Sequence, residues 1–205
     1  SILFFSFGVD SKTKDILQLT CQYNPNLIKK EQRNTGFLED KNLDRLKICR
    51  TFGCEDTVKV VKHDIENYDE NEYRLINSWF NHQGILLDDF LITEESIFIN
   101  TFVSQAFFLE SYSIDRVTNK TKRTFYKFDN GEIFFKIKEF EKNSKKKIPF
   151  YNKKGKLSLK TLKLLSLEPI ETYHFEGKCL IGTQVRFEIK KPLYLSYLDN
   201  KKDSK

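Results

Sequence analysis

The amino-acid sequence predicts a mainly β protein of the α+β class. Nineteen phenylalanines and nine tyrosines in a chain of 205 residues favour strands over helices. Residues 16–21 alternate between two sets of side chains with the two-residue period of a strand. Eight glycines and four prolines are too few for a fibrous or disordered chain. The length fits one large domain or two small ones.

The first part of the chain, residues 1–115, is predicted to be mixed β with one helix. Strands are expected at residues 2–7, 16–21, 46–52, 57–63, 85–92 and within 95–114, and a long loop at residues 23–44. The helix is predicted at about residues 69–82, because Asp69 and Glu72 have the spacing of a capping box and an apolar stripe follows them. Trp79 lies on this stripe and is expected in the core.

The second part, residues 123–198, is predicted to be a small, basic β-barrel. A polar connector at residues 116–123 separates the two parts, and the sign of the local charge changes there. Residues 199–205 are expected to form a disordered tail.

A β-hairpin is predicted to turn at Asn130-Gly131. Both residues tolerate the positive φ of a two-residue type I′ turn, and aromatic, β-prone runs flank them. The resulting register places apolar residues such as Phe128 and Ile133 on one face. The other face would be basic and aromatic, with Lys127, Phe134 and their neighbours.

The basic character continues after the predicted hairpin. Residues 136–163 contain eleven lysines and only two acids, Glu139 and Glu141. Aromatic rings that stack on bases, next to lysines that meet phosphates, are typical of a nucleic-acid surface. The alternative is that the lysine stems only cover the phenylalanines and keep the chain soluble. The predicted nucleic-acid-binding residues are Lys127, Phe134, Lys136, Lys138, Lys145, Lys146, Lys147, Lys153 and Lys154.

A short motif near the end of the chain carries a family resemblance. Pro169 and Ile170 begin an apparent strand that continues into Gly177-Lys178-Cys179 and an aliphatic run. This stretch resembles the closing segment of a bromo-adjacent homology (BAH) domain, and the resemblance extends over about residues 120–198. A similar layout occurs near transposon-encoded proteins. The resemblance implies a small β-barrel that docks on chromatin or protein partners without chemistry of its own.

Charge and cysteine usage bear on partners and compartment. The formal net charge is +6 and the basic excess lies in the second half, which favours polyanionic partners. No apolar run approaches the ~20 residues needed to cross a membrane, so no membrane association is predicted. Cys21, Cys49, Cys54 and Cys179 are widely spaced, which predicts reduced core cysteines and a nuclear, intracellular protein. Asn119-Lys120-Thr121 matches a glycosylation sequon, a triplet that is frequent by chance.

Two groups of residues have the chemistry of a metal or catalytic site. Cys49, Cys54 and His63 have a loose zinc-ligand spacing, but there is no second close pair. Clustered acids at Asp88-Asp89 and Glu94-Glu95, with the triplets at residues 176–178 and 188–190, supply the residue types of a metal-dependent nuclease. Neither pattern is specific, so the sequence predicts no catalytic residue, no metal and no cofactor.

The sequence therefore predicts a non-enzymatic protein that binds nucleic acid or a chromatin protein through a basic, aromatic β surface. The first alternative is a protein–protein interaction scaffold. The second is a nuclease-like enzyme.

Overall fold

The computed structural model describes residues 13–38, 43–63, 72–77, 85–87, 89–103, 106–145 and 159–184. Eleven strands form one antiparallel sheet: β1 Thr13–Tyr23, β2 Lys29–Gln32, β3 Gly36–Phe37, β4 Glu55–His63, β5 Glu72–Ile76, β6 Ile85–Leu86, β7 Asp89–Ile92, β8 Ser96–Val103, β9 Phe108–Asp115, β10 Lys120–Lys127 and β11 Glu171–Gln184. The helices are α1 Arg45–Phe52, α2 Asn130–Ser144 and α3 Leu159–Leu164, and a 3-10 turn spans Pro25–Leu27. The predicted mainly β class is confirmed.

The sheet consists of two meanders that share strand β11. The strand order is β6-β5-β4-β1-β11-β10-β9-β8-β7, and the sheet curls into a half-barrel. Strand β1 pairs with the second half of β11, and β2 continues beside its first half after the 3-10 turn. Strands β9 and β10 pair along their whole length across the turn at residues 116–119. Strands from both sides of the predicted boundary at residues 115–123 therefore belong to one sheet.

The core lies on the inner face of the half-barrel. Alternate residues of nearly every strand point there and form one apolar cluster, which runs from Leu75 through Leu19 and Phe175 to Ile99. The opposite face of β8, β9 and β10 carries a second cluster, which α2 and α3 cover. The period-two alternation of the sequence thus separates two cores on the two faces of one sheet.

The seam between β1 and β11 explains the motif at residues 177–179. A Cβ atom at Gly177 would lie 2.0 Å from the Gln22 carbonyl oxygen, so only glycine lets the strands approach here. Two residues later, Cys179 pairs in register with Cys21, and a disulfide joins them. The motif therefore has a structural role in this seam.

The prediction of reduced cysteines is wrong, because all four form disulfides. Cys21 bonds to Cys179, and Cys49 bonds to Cys54 at the end of α1. Helix α1 replaces the strand predicted at residues 46–52. Asp44 caps it by accepting a hydrogen bond from the Lys47 backbone N–H at 2.9 Å. Ile48 and Phe52 then face the inner core, one helical turn apart.

The hairpin predicted at Asn130-Gly131 is also wrong. These two residues open helix α2, because Asp129 caps the helix and accepts the Glu132 N–H at 2.7 Å. Ile133 and Ile137 are buried against the second cluster, as i,i+4 spacing on a helix requires. The cap and this helical period outweigh the turn preference of Asn-Gly.

The helix predicted at about residues 69–82 is replaced by a strand wherever it is described. Strand β5 pairs with β4, so that Leu75 lies opposite Val60 in the inner cluster. Cross-strand burial of this kind outweighs the helical spacing of the sequence. Trp79 and the predicted cap residue Asp69 lie outside the described residues. The same holds for residues 185–198 and the tail at residues 199–205.

Candidate binding site between helix α1 and the sheet

A pocket of about 610 Å³ opens between α1 and the sheet. It is lined by apolar and aromatic side chains on its floor and by charged side chains on its rim. The apolar lining comprises Leu38, Leu43, Ile48, Phe52, Ala106, Phe108, Phe125 and Tyr173, and the charged lining comprises Lys30, Asp44, Lys47, Lys127 and Glu171. The volume lies in the range of small-molecule sites, about 300–1,000 Å³.

The floor of the pocket is a packed group of aromatic rings. The Phe52 ring lies 4.6 Å from that of Phe125 and 4.8 Å from that of Tyr173, measured between centroids. Phe108 meets Phe125 edge to face at 5.9 Å. Alternation along β9 and β10 points Phe108 and Phe125 inward, and helix α1 places Phe52 over them. The floor is continuous with the core, because Phe108 and Phe125 belong to the inner cluster and Phe52 and Tyr173 pack against it.

The rim is organised around the carboxylate of Glu171. Strand pairing places Glu171 opposite Lys127 on one side and opposite Gln32 on the other. The Lys30 ammonium lies 2.6 Å from Oε1 of Glu171, and the Lys127 ammonium lies 3.4 Å from Oε2. The Tyr173 hydroxyl donates to the same Oε2 at 3.2 Å. One carboxylate thus holds two lysines at the mouth of the pocket.

The pKa values of the rim groups reflect this pairing. Partial burial favours the neutral form of Lys30, but hydrogen bonds to Glu171 and Tyr173 outweigh it and raise the Lys30 pKa. Partial burial alone would raise the pKa of Glu171, but the hydrogen bond and charge of Lys30, together with the charge of Lys127, lower it. Both groups are therefore charged at neutral pH.

The rim carries more positive than negative charge. Lys30, Lys47 and Lys127 face two acids, and the Asp44 carboxylate already serves as the cap of α1. The Lys127 side chain is 54 % exposed, so its ammonium has donors left for a ligand. The arrangement can hold an anionic group at the mouth of the pocket while an apolar body lies on the rings.

A second charged group lies fully inside the half-barrel and has a different character. Nε of Arg123 donates to Oε1 of Glu110 at 2.8 Å, and Nη2 lies 3.3 Å from the Asp56 carboxylate. Its Nη1 donates to the Phe52 carbonyl oxygen at 2.9 Å. The Tyr112 hydroxyl donates to Glu110 at 2.6 Å. Burial raises the pKa of Tyr112, as it does for the nearby Tyr23.

The predicted nucleic-acid residues do not form one β surface. Lys127 belongs to the rim of the pocket, and Lys136 is held by Glu132 at 3.3 Å. Phe134, Lys138 and Lys145 lie on the outward side of α2, together with Phe135 and Lys142. Lys146, Lys147, Lys153 and Lys154 lie outside the described residues.

The metal alternatives gain no support from the described residues. No three His, Cys, Asp or Glu side chains in that part of the chain come together as a metal site. Cys49 and Cys54 are bonded to each other, so they are not thiolate ligands. Glu94 and Glu95 are exposed in a turn, and Asp88, Glu188 and Lys190 lie outside the described residues.

Sequence reasoning missed the pocket for identifiable reasons. Lys30 and Glu171 are distant in the chain and meet only because β2 adds to β11. The β-prone side chains of residues 46–52 predict a strand that includes Phe52, although Asp44 and the Ile48–Phe52 spacing signal a capped helix. The predicted hairpin register puts Arg123 and Phe125 on the basic, aromatic face, whereas in the structure both side chains are buried inside the half-barrel.

Comparison with known proteins identifies no relative: no family model matches the chain, and neither a curated protein nor a solved structure is similar to it. The BAH resemblance therefore stays a prediction. None of the helices in the described ranges is long and apolar enough to cross a membrane.

Proposed function

We propose that the protein is a non-enzymatic binding protein that holds a small amphiphilic anion in the pocket between α1 and the sheet. The observation that carries the proposal is the coincidence of an aromatic floor and a cationic rim in one cavity. A carboxylate or another singly charged head group on an aliphatic or aromatic body fits this division.

Both parts of the pocket favour such a ligand energetically. Each CH₂ group that moves from water onto the rings gains about 0.8 kcal/mol. An anionic head group can accept hydrogen bonds from Lys127 and from Lys47, an exposed lysine of α1 that lines the same pocket. Charge-assisted bonds of this kind select an anion over a neutral or cationic analogue of the same length.

Three amphiphiles with one dodecyl chain test the proposal: the carboxylate, the alcohol and the trimethylammonium compound. We expect saturable binding of the carboxylate by isothermal titration calorimetry, below its micellar concentration. Lys127→Ala should weaken it about tenfold, the equivalent of about 1.4 kcal/mol. Lys122→Ala is the matched control, because Lys122 lies on the same strand and points to the opposite face.

A floor variant completes the test. Phe52→Leu keeps an apolar side chain in the core but removes the ring that the ligand contacts, so carboxylate and alcohol should both lose affinity. Equal affinity for the three compounds, or an equal loss in the Lys122 and Lys127 variants, contradicts the proposal.

A specific observation favours polyanion binding as a second candidate function. The outward side of α2 carries two exposed rings, Phe134 at 50 % and Phe135 at 66 % exposure. Lys138, Lys142 and Lys145 follow on the same side at helical spacing. This helix surface takes the place of the predicted β surface, and the proposal of a nucleic-acid partner now depends on it. The nuclear location stays a prediction.

A salt titration of DNA binding tests the second candidate. Each phosphate contact contributes about 0.9 to the slope of log affinity against log salt for duplex DNA, so losing three lysines flattens it by about 2–3. The triple variant Lys138→Ala, Lys142→Ala, Lys145→Ala should show this change. Lys29→Ala, Lys59→Ala, Lys178→Ala removes the same charge elsewhere and serves as control. If both triple variants have the same salt slope, the α2 lysines only solvate the helix. The result would then favour the alternative of a protein–protein interaction scaffold.

A further inference from the structure

The turn between β9 and β10 presents an asparagine in a well-defined conformation. Asp115 starts the turn, because its Oδ1 accepts the backbone N–H groups of Val117 at 2.8 Å and Thr118 at 3.0 Å. Asn119 follows with a φ of 57°, in the left-handed region that asparagine tolerates better than most residues. Its carbonyl oxygen accepts the Cys179 N–H at 3.0 Å, which fixes the backbone of the turn.

The side chain of Asn119 is not used by the fold. Within the described part of the chain its amide makes no hydrogen bond, and it is only half-buried. Val117, two residues earlier, is 79 % exposed, so the turn projects into solvent. Asn119-Lys120-Thr121 is an Asn-x-Thr triplet, the acceptor sequence for N-linked glycans. Asn119 thus lies in a turn where the folded chain can carry an attached glycan.

The disulfides indicate an oxidising compartment of the kind in which Asn-x-Thr triplets are glycosylated. Cys21–Cys179 and Cys49–Cys54 account for all four cysteines of the chain. Structural disulfides persist in secreted proteins and in the lumen of the secretory pathway, and are rare where glutathione keeps thiols reduced. N-linked glycosylation of exposed loops belongs to the same compartment. Two independent features therefore point to the same environment.

We propose that Asn119 is an N-glycosylation site. In the transfer, Nδ2 of Asn119 forms a bond to the anomeric carbon of an oligosaccharide, and the bond from that carbon to a lipid-linked diphosphate breaks. The diphosphate leaves with the electron pair, and one Nδ2 proton is lost to a base of the transferase. No oxidant or reductant is involved.

The surface beside the turn suits an attached glycan. A groove of about 880 Å³ begins at Lys120 and runs over the outer side of β9, β10, β11 and β1. Its side chains are mostly polar, including Ser113, Gln22, Asn24 and Lys178. The first sugars can lie against hydrogen-bonding groups there and cover no large apolar patch.

Translation of the full chain behind a cleavable secretion signal, in the presence of endoplasmic-reticulum microsomes, tests this site. Protease protection identifies the translocated molecules. We expect these to shift in gel mobility by one glycan, and the shift to disappear on treatment with an N-glycosidase. Asn119→Gln should abolish the shift, whereas Thr121→Ser should keep it, because serine also completes the triplet.

Asn26→Gln is the matched control, because Asn26 is an exposed turn asparagine that no triplet follows, and it should leave the shift unchanged. Mass spectrometry of the peptide around residue 119 locates the sugar. Protease-protected wild-type chain without any shift overturns the proposal, as does a shift that persists in Asn119→Gln. Because transfer occurs on the unfolded chain, a folding defect of a variant does not mimic either result.

Discussion

The half-barrel contains two charged groups, each with a basic residue of strand β10, and the two groups differ in their exposure to solvent. One surrounds Arg123 inside the sheet, where the side chains of Arg123 and Asp56 are 0 % exposed and that of Glu110 is 1 % exposed. The other surrounds Glu171 at the rim, where the carboxylate is 20 % exposed and its partner Lys127 is 54 % exposed. Both groups join residues from distant parts of the chain.

The difference in exposure assigns the two groups different roles. Arg123 directs its nitrogens at protein oxygens, and Phe125 lies against its guanidinium group at 4.6 Å, so no ligand reaches it. Lys127 makes one long contact and keeps donors that face solvent. A buried charge that protein groups surround supports the fold, whereas a half-exposed charge beside an apolar pocket is available for binding.

The largest expected effect comes from breaking the inner group. Arg123→Met keeps an apolar stem of similar length but leaves Glu110 and Asp56 buried without a cation. We expect the free energy of unfolding to fall by about 3–5 kcal/mol, as for other broken buried ion pairs. Urea denaturation measures this loss. Lys127→Met, the rim counterpart, should cost less than about 1 kcal/mol; similar losses for the two variants would abolish the distinction.

A smaller effect is expected from the rim. Lys30→Met removes a pair whose members are 16 % and 20 % exposed, while Glu171 keeps Lys127 and Tyr173 as partners. We expect a loss of about 1 kcal/mol in stability. Chemical denaturation measures this loss. Lys29→Met is the control, because Lys29 is an exposed lysine on the same strand, so its replacement removes a charge without removing the Lys30–Glu171 pair. A loss as large as that of Arg123→Met would make the rim structural.

The smallest expected effect is a difference in the pH range over which each of the two groups contributes to stability. The folded pKa of Glu171 is lowered, so its contribution is present above the unfolded value of about 4.3 and disappears as pH falls through the folded value. The folded pKa values of Tyr23 and Tyr112 are raised, so their contribution is complete below about pH 10 and is lost as pH rises. The contribution of Lys30 to stability is likewise lost as pH rises, because its folded pKa is also raised.

Stability curves of the wild type and Glu171→Gln measure this separation. The difference between the two proteins should persist at neutral pH, shrink as pH falls below the unfolded value of about 4.3, and disappear below the lowered folded pKa of Glu171. The tyrosinate absorbance of Tyr23 and Tyr112 is the difference between the wild type and the double variant Tyr23→Phe, Tyr112→Phe. This difference should rise only together with unfolding at alkaline pH, and a rise that precedes unfolding would contradict the burial of both rings.

The sequence predicted the strands better than the helices. Residues 16–21, 57–63 and most of 95–114 carry β-prone side chains whose intrinsic preference agrees with the sheet, so β1, β4, β8 and β9 were found. Helices α1 and α2 were missed because each contains aromatic or β-branched residues. Their caps, Asp44 and Asp129, were the correct signals, and the Asn-Gly pair within α2 was a stronger but misleading one.

The candidate site was beyond sequence reasoning for a different reason. Its parts come from β2, α1, β9, β10 and β11, and no local pattern connects Lys30, Phe52 and Glu171. Alternation predicts that Arg123 and Phe125 share one face of β10, but only the neighbouring strands of the sheet determine that this face points into the core. The cysteines illustrate the same limit, since Cys21 and Cys179 are 158 residues apart and meet only in the assembled sheet.

The position of β11 in the middle of the sheet has a consequence for synthesis on the ribosome. Among the described strands, β11 is translated last, yet it joins the meander that ends in β1 to the meander that ends in β10. Until residues 171–184 emerge, the nascent chain has two open edges with unpaired backbone groups, which invite pairing with other chains. Both meanders need this late strand to complete their pairing. A chain that is released after translation stops just before residue 171 is therefore prone to self-association.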